Sequence, residues 1–235
     1  MAKAALVTGA GSGIGQAIAA RLGADGWDVH GVDLADGDLT TRAGNRAVVD
    51  AALARFGRLD AVVPVAGFQH VAPVRDFDED RWDALVALLL TSPFLLAKHA
   101  WDALAASGDG RFLVVASVHG LVASPFKAGY VSAKHGVMGL VKTLALEGAS
   151  VGIAAAALCP GYVRTPLVEQ QVAAQAALHG LPEERVLEDV LLAPQAVKRL
   201  IEPEEVAATA SFLLGPHGRS FTGAPVVMDL GWTAR

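Results

Sequence analysis

The stretch TGAGSGIG, Thr8 to Gly15, decides the fold of this chain. Before it stands AALVT, a short apolar run that reads as a buried strand. After it, GIGQAIAARLGADG (13–26) has helical spacing and a glycine stop. Gly9, Gly13 and Gly15 lack side chains where the backbone must turn tightly and approach a ligand. Ser12 and Ile14 lie on the same turn and are assigned to the same ligand. A helix N-terminus at this point offers free N–H groups and the positive end of its dipole to a pyrophosphate.

Outward from the loop, strands and helices alternate. Strand-like runs fall at 27–34, 59–67, 110–118, 151–161 and 223–231. Helical patterns fall at 41–57, 129–149 and 203–215. A long helical tract over 78–108 is interrupted at Pro93, and 166–199 reads as helical pieces over a loop. This rhythm predicts an α/β protein: one Rossmann-type domain over 1–235, a doubly wound parallel sheet with helices on both faces. Asp33 ends the second predicted strand, where a carboxylate accepts hydrogen bonds from a ribose diol and repels a 2′-phosphate. Neither Arg21 nor Arg42 has the position of a phosphate clamp, so the expected cofactor is NAD and not NADP.

Composition narrows the rest. Hydrophobic residues make up 53% and charged residues 18%, enough apolar material for a large core. Net charge is -5 with no basic run, which argues against a nucleic-acid partner. Cys159 is the single cysteine, so no internal disulfide is possible, and its apolar surroundings read as core. The N-terminus reaches glycine too early for a secretory signal, and VALLLTSPFLLA (86–97) holds Thr91, Ser92 and Pro93. A soluble, cytoplasmic protein without a membrane partner or metal site is expected.

The second informative stretch is SVHGLVASPFKAGYVSAKHG (117–136). Tyr130 and Lys134 are four apart on a predicted helix and share a face. An ammonium beside a phenol favours the phenolate, which is expected to lower the Tyr130 pKa and let it exchange a proton with an alcohol or ketone. Ser117 ends the preceding strand and can hydrogen-bond the same oxygen.

With TGAGSGIG, the Ser117–Tyr130–Lys134 set and CPGYVRTP (159–166), the whole chain resembles the short-chain dehydrogenase/reductase family. The resemblance implies a nicotinamide-dependent oxidoreductase, usually a homotetramer. In it Ser117 positions the substrate oxygen, Tyr130 is the general acid/base, and Lys134 holds the ribose. Ala66, Gly67, Pro160 and Gly161 line the cofactor, with Val163 and Thr165 at the carboxamide. GFQHVAPV (67–74), the 117–130 segment, TPLVEQQV (165–172) and the C-terminal DLGW resemble the D-3-hydroxybutyrate dehydrogenase branch. That resemblance implies a small carboxylate substrate gripped by Gln69, His119, Lys127 and Gln171, with Trp232 over the methyl end and 166–199 as a lid.

The sequence also departs from that pattern. Tyr162 replaces a tryptophan and reshapes the pocket. Only four residues separate Asp33 from Asp38, where the family fits a helix and a strand. Asp38 matches an adenine-contacting aspartate, and weaker NAD affinity is expected. Leu89 stands where the family has a catalytic asparagine, and the one asparagine of the chain, Asn45, lies elsewhere. Pro93 has no N–H for the Leu89 carbonyl, so a kinked helix with a freed carbonyl is expected to do that work. Tyr162 keeps open an enzyme for another secondary alcohol or ketone. Leu89 keeps open a catalytically weak NAD-binding sensor or assembly subunit.

Overall fold

The computed structural model describes residues 2–234. Six strands form one sheet: β1 (Ala4–Thr8), β2 (Asp28–Val32), β3 (Ala61–Val63), β4 (Gly110–Val115), β5 (Ile153–Pro160) and β6 (Pro225–Met228). They are parallel throughout, in the order β2-β1-β3-β4-β5-β6. Eight α-helices accompany them among the described residues: α1 (Gly13–Ala24), α2 (Arg42–Phe56), α3 (Glu79–Val86), α4 (Ser92–Ala106), α5 (Ala128–Gly148), α6 (Pro166–His179), α7 (Glu183–Val186) and α8 (Pro203–Leu214).

The sheet is buried on both faces, and the period-2 alternation of strand side chains divides the core. Leu6, Val62, Phe112 and Val114 face one way and pack with Val49 of α2, Leu96 of α4 and Val141 of α5. Val7, Val63, Leu113 and Leu158 face the other way, with Ile18 of α1 and Val206 of α8. Every residue of β1, β3, β4 and β5 is buried. Largely apolar runs satisfy that, with Thr8 and Arg111 as the buried polar members.

Strand order reverses between β1 and β3, so the loops leaving their carboxyl ends part there. In open parallel sheets this switch point is where ligands bind. The glycine loop after β1 and Val65-Ala66-Gly67 after β3 meet across it. Gly9 has φ +66°, and a Cβ there would lie 2.9 Å from Ala66 Cα. Thr8 Oγ1 fastens the two loops by accepting from the Val65 and Ala66 N–H groups at 3.0 and 3.1 Å.

Neither helix nor strand lies between Val32 and Arg42, so β2 is the sheet edge. The element pair expected from the family is absent, and turns take its place. The Asp36 carboxylate accepts the Asp33 N–H at 2.8 Å, and the Thr41 side chain caps α2 through the Gly44 N–H. The long tract Glu79–Ala106, 28 residues, is long and apolar enough to cross a membrane by length and composition alone. In this fold α4 packs its Leu95, Leu96, Ala100 and Leu104 inside as a core helix.

The kink expected at Pro93 takes the form of a π-helical turn at Ala87–Thr91, directly before α4. The Ser92 N–H donates to Ala87 O and skips Leu88, its ordinary α-helical partner. Pro93, the ordinary partner of Leu89, has no N–H. The carbonyls of Leu88 and Leu89 therefore both lack their α-helical donors.

Candidate active site

Two hollows open at the switch point. The wider, of about 410 Å³, runs from the glycine loop past Asp33 and Asp38 to Ala66 and Thr165. Gly9, Ser12, Gly13, Ile14, Gly15 and Gly67 border it too. The N-terminus of α1 opens onto it, and a Cβ on Gly15 would overlap Gly9 O, so the backbone is drawn in closely. Asp33 is held at its rim: Oδ2 accepts the Gly11 N–H and Oδ1 the Leu34 N–H, both at 2.8 Å. Asp38 Oδ1 accepts from the Thr40 N–H and hydroxyl at 2.9 and 2.7 Å, which holds its carboxyl below the usual range. A turn free of Cβ atoms at a helix N-terminus, followed by an acidic rim, fits a dinucleotide.

The second hollow, of about 110 Å³, continues inward. It brings together Ser117, Tyr130, Lys134 and Leu89 with Gln69, His119, Lys127, Gln171, Tyr162 and Trp232. Pro160, Gly161, Val163 and Thr165 also border it, so the segment after β5 reaches both hollows. These residues are scattered from 69 to 232, yet every substrate contact inferred from the resemblance faces this one space.

Ser117 follows β4 in extended conformation, and its Oγ accepts the His119 N–H at 3.1 Å. Tyr130 and Lys134 project from the first turns of α5, with Lys134 Nζ 5.6 Å from the phenol ring centroid. Lys134 Nζ donates to Val115 O at 2.8 Å. The expected lowering of the Tyr130 pKa by Lys134 is corrected here. Burial pushes the phenol above its ordinary value, and a hydrogen bond with Ser117 only partly opposes it. Burial also draws Lys134 down to about 8, and one of its protons goes to the Val115 carbonyl. Loss of hydration is the largest influence on both groups.

Lys127, 2% exposed, donates to Tyr162 Oη at 3.0 Å and Gln171 Oε1 at 3.1 Å. Burial lowers it to about 8. The residue before it, Phe126, has φ +66°, strained for a bulky side chain. Gln171 Nε2 is fixed by Leu167 O at 2.9 Å. His119 is drawn down to about 3, first by burial and then by the Lys127 charge, so it is a neutral imidazole. Its Nε2 lies 2.9 Å from Ser124 Oγ, a partner the sequence reading missed because a loop has no periodicity to reveal it. Gln69 Oε1 accepts the His70 N–H at 3.0 Å, which leaves its amide N–H groups as donors. Segment 166–199 forms α6, α7 and a π turn at Leu187–Leu191, packed in one cluster with Tyr162 and Trp232, and Leu167, Val168 and Gln171 of α6 border the hollow.

Comparison with known proteins agrees with this arrangement. Residues 30–233 match the family described as Enoyl-(Acyl carrier protein) reductase. D-beta-hydroxybutyrate dehydrogenase of Rhizobium meliloti is 40% identical over 258 aligned residues, covering 100% of both chains. A protein of the same name from Cupriavidus necator is also 40% identical, covering 99% of this chain and 98% of the other. Among solved structures, actinorhodin polyketide ketoreductase with NADPH superposes with a TM-score of 0.92 at 28% identity, covering 100% of this chain and 98% of that one. The chain is an oxidoreductase domain of the short-chain dehydrogenase/reductase family.

Proposed function

We propose that this protein interconverts a small 3-hydroxy acid and its 3-oxo acid with NAD, the substrate pair being D-3-hydroxybutyrate and acetoacetate. The observation that carries this reading is Lys127: a buried ammonium in the same hollow as Ser117 and Tyr130. A buried cation without a carboxylate partner invites an anion, and the size of the hollow suits a short acid.

Bound NAD would supply the hydride acceptor, with Asp33 accepting from its ribose and the α1 N-terminus facing its pyrophosphate. Ser117 orients the substrate oxygen, and Tyr130 takes the hydroxyl proton in oxidation and returns it in reduction. Lys134 holds the ribose and, with the Leu89 carbonyl through a water, passes the proton outward. Lys127, Gln171, Gln69 and His119 bind the carboxylate, and segment 166–199 excludes water. The preference for NAD over NADP rests on the Asp33 carboxylate. We propose a cytoplasmic enzyme and a homotetramer, the association supported by exposed apolar side chains: Phe94 and Leu146 on α4 and α5, Phe212 and Val227 on α8 and β6.

The test is NADH absorbance from pure protein with NAD and D-3-hydroxybutyrate, against the L-enantiomer and NADP. Rapid D-selective, NAD-dependent turnover is expected. Turnover only of uncharged alcohols would overturn the substrate assignment, and NAD binding without any turnover would overturn the enzyme reading.

A further inference from the structure

Lys127 has three ammonium protons to place. Tyr162 Oη takes one and Gln171 Oε1 another. Among the described residues no acceptor meets the third, and no carboxylate lies within ion-pair distance. Both acceptors are neutral, so a buried cation stands without a counter-charge.

Tyr162 is equally incomplete. It has accepted from Lys127, and among the described residues its own O–H proton meets no acceptor. The ring cannot drift. It stacks on Trp232 with centroids 5.5 Å apart and planes at 24°, and meets His119 edge-on at 6.4 Å. Burial holds the phenol above its ordinary pKa, so the proton stays on. An indole at this position could donate but could not accept from Lys127. The phenol does both.

We propose that Tyr162 strengthens the selection of a free carboxylate over its neutral esters and thioesters: its hydroxyl orients Lys127 by accepting one proton and donates its own to the substrate carboxylate. Ammonium and phenol then take the anion as a two-point clamp, the third Lys127 proton on one oxygen and the Tyr162 proton on the other. A thioester brings no charge to this pair and leaves Lys127 uncompensated, which is where the discrimination arises. This rests on the 3-hydroxy acid reading above and adds to it the residue that reads the charge.

The test is calorimetric titration of the protein loaded with oxidised NAD, which cannot reduce a ketone, using acetoacetate and then methyl acetoacetate, which keeps the ketone and loses the charge. Wild type is expected to bind the acid more tightly than the ester. Tyr162→Phe keeps the ring and its stack on Trp232, and should weaken the acid about tenfold or more while moving the ester by less than roughly twofold. NAD affinity of the variant, titrated first, should match that of wild type, which guards against a folding defect. Equal losses for acid and ester, or no loss for the acid, would overturn the role of Tyr162 alone. A wild-type protein that binds the ester as well as the acid would overturn the carboxylate site and this inference with it.

Discussion

Asn45 Oδ1 accepts the hydroxyl proton of Ser92 at 2.6 Å, and both residues are closed to solvent. The Asn45 amide nitrogen donates to Leu39 O and Thr41 O, each at 2.7 Å. The turn segment that stands in for the missing helix and strand is thus tied by one side chain to the start of α4, next to the π turn. Ser92→Ala would leave a buried amide oxygen without a donor, at about 1–3 kcal/mol. A fall in Tm of roughly 2–10 °C is expected by thermal denaturation. NAD binding should weaken too, because Leu39 and Thr40 border the cofactor groove. An unchanged Tm would mean that this bond does not hold the segment.

Tyr130 sits above its ordinary pKa because desolvation disfavours its phenolate, which sets the pH dependence of each direction. Oxidation needs the phenolate, scarce at neutral pH, so its rate should climb as pH rises. Reduction needs the protonated phenol and should stay flat through neutral pH, falling only in alkali. Tyr130→Phe removes the proton carrier and should lower kcat by about 10²–10⁴-fold in both directions. NAD affinity, followed by protein fluorescence, should stay nearly constant. A variant with wild-type kcat would remove Tyr130 from the chemistry.

Lys127 gives a stability prediction with a definite sign. Folding lowers its pKa from 10.5 to about 8. Below pH 8 both states carry the charge, and burial of the ammonium costs stability in full. Between about 8 and 10.5 the folded state has released a proton the unfolded chain still binds, so stability rises with pH across that window. Lys127→Met removes the buried charge while keeping the side chain out to Cε. At pH 7 it should recover up to about 3 kcal/mol, less what the lost bonds to Tyr162 and Gln171 contributed. Tm should therefore rise by several degrees at pH 7, and the gain should shrink toward pH 10. A gain independent of pH would place the effect in packing instead of charge.

How far the sequence could be read follows from the range of the forces involved. The glycine loop, the buried strands and the Tyr130–Lys134 face depend on local spacing, and each lies where the spacing put it. The convergence of Gln69, His119, Lys127 and Gln171 was legible through the family resemblance, because no local pattern joins residues so far apart. The π turn was read only as a kink, since Pro93 reveals a missing donor but not how Ser92 will choose between Leu88 and Ala87. The direction of the Tyr130 shift was misread, because the pairing with Lys134 is written in the helix while desolvation is summed over the whole fold. The Asn45–Ser92 bond left no trace, as its partners lie 47 positions apart. Pro93→Ala would restore the donor facing Leu89, so kcat should fall with NAD affinity unchanged if that carbonyl serves the proton relay; an unchanged kcat removes Leu89 from it.

Asp33 is where the cofactor assignment can be broken cleanly. Its carboxylate has two partners, the N–H groups of Gly11 and Leu34, and stands at the rim of the groove with lone pairs to spare. A ribose 2′-hydroxyl can donate to it, whereas a 2′-phosphate brings like charge against it. Asp33→Asn keeps an oxygen for the Gly11 N–H and removes the charge. NAD should then bind about tenfold more weakly, from the loss of a charge-assisted hydrogen bond. NADP should bind more tightly than to wild type, because the repulsion is gone. The two dissociation constants, measured side by side, separate the contributions: a change in NAD alone would mean that Asp33 holds the ribose without excluding the phosphate. A wild-type protein that binds both equally would move discrimination away from Asp33, to the turn at Gly37 and Asp38 that replaces the missing helix.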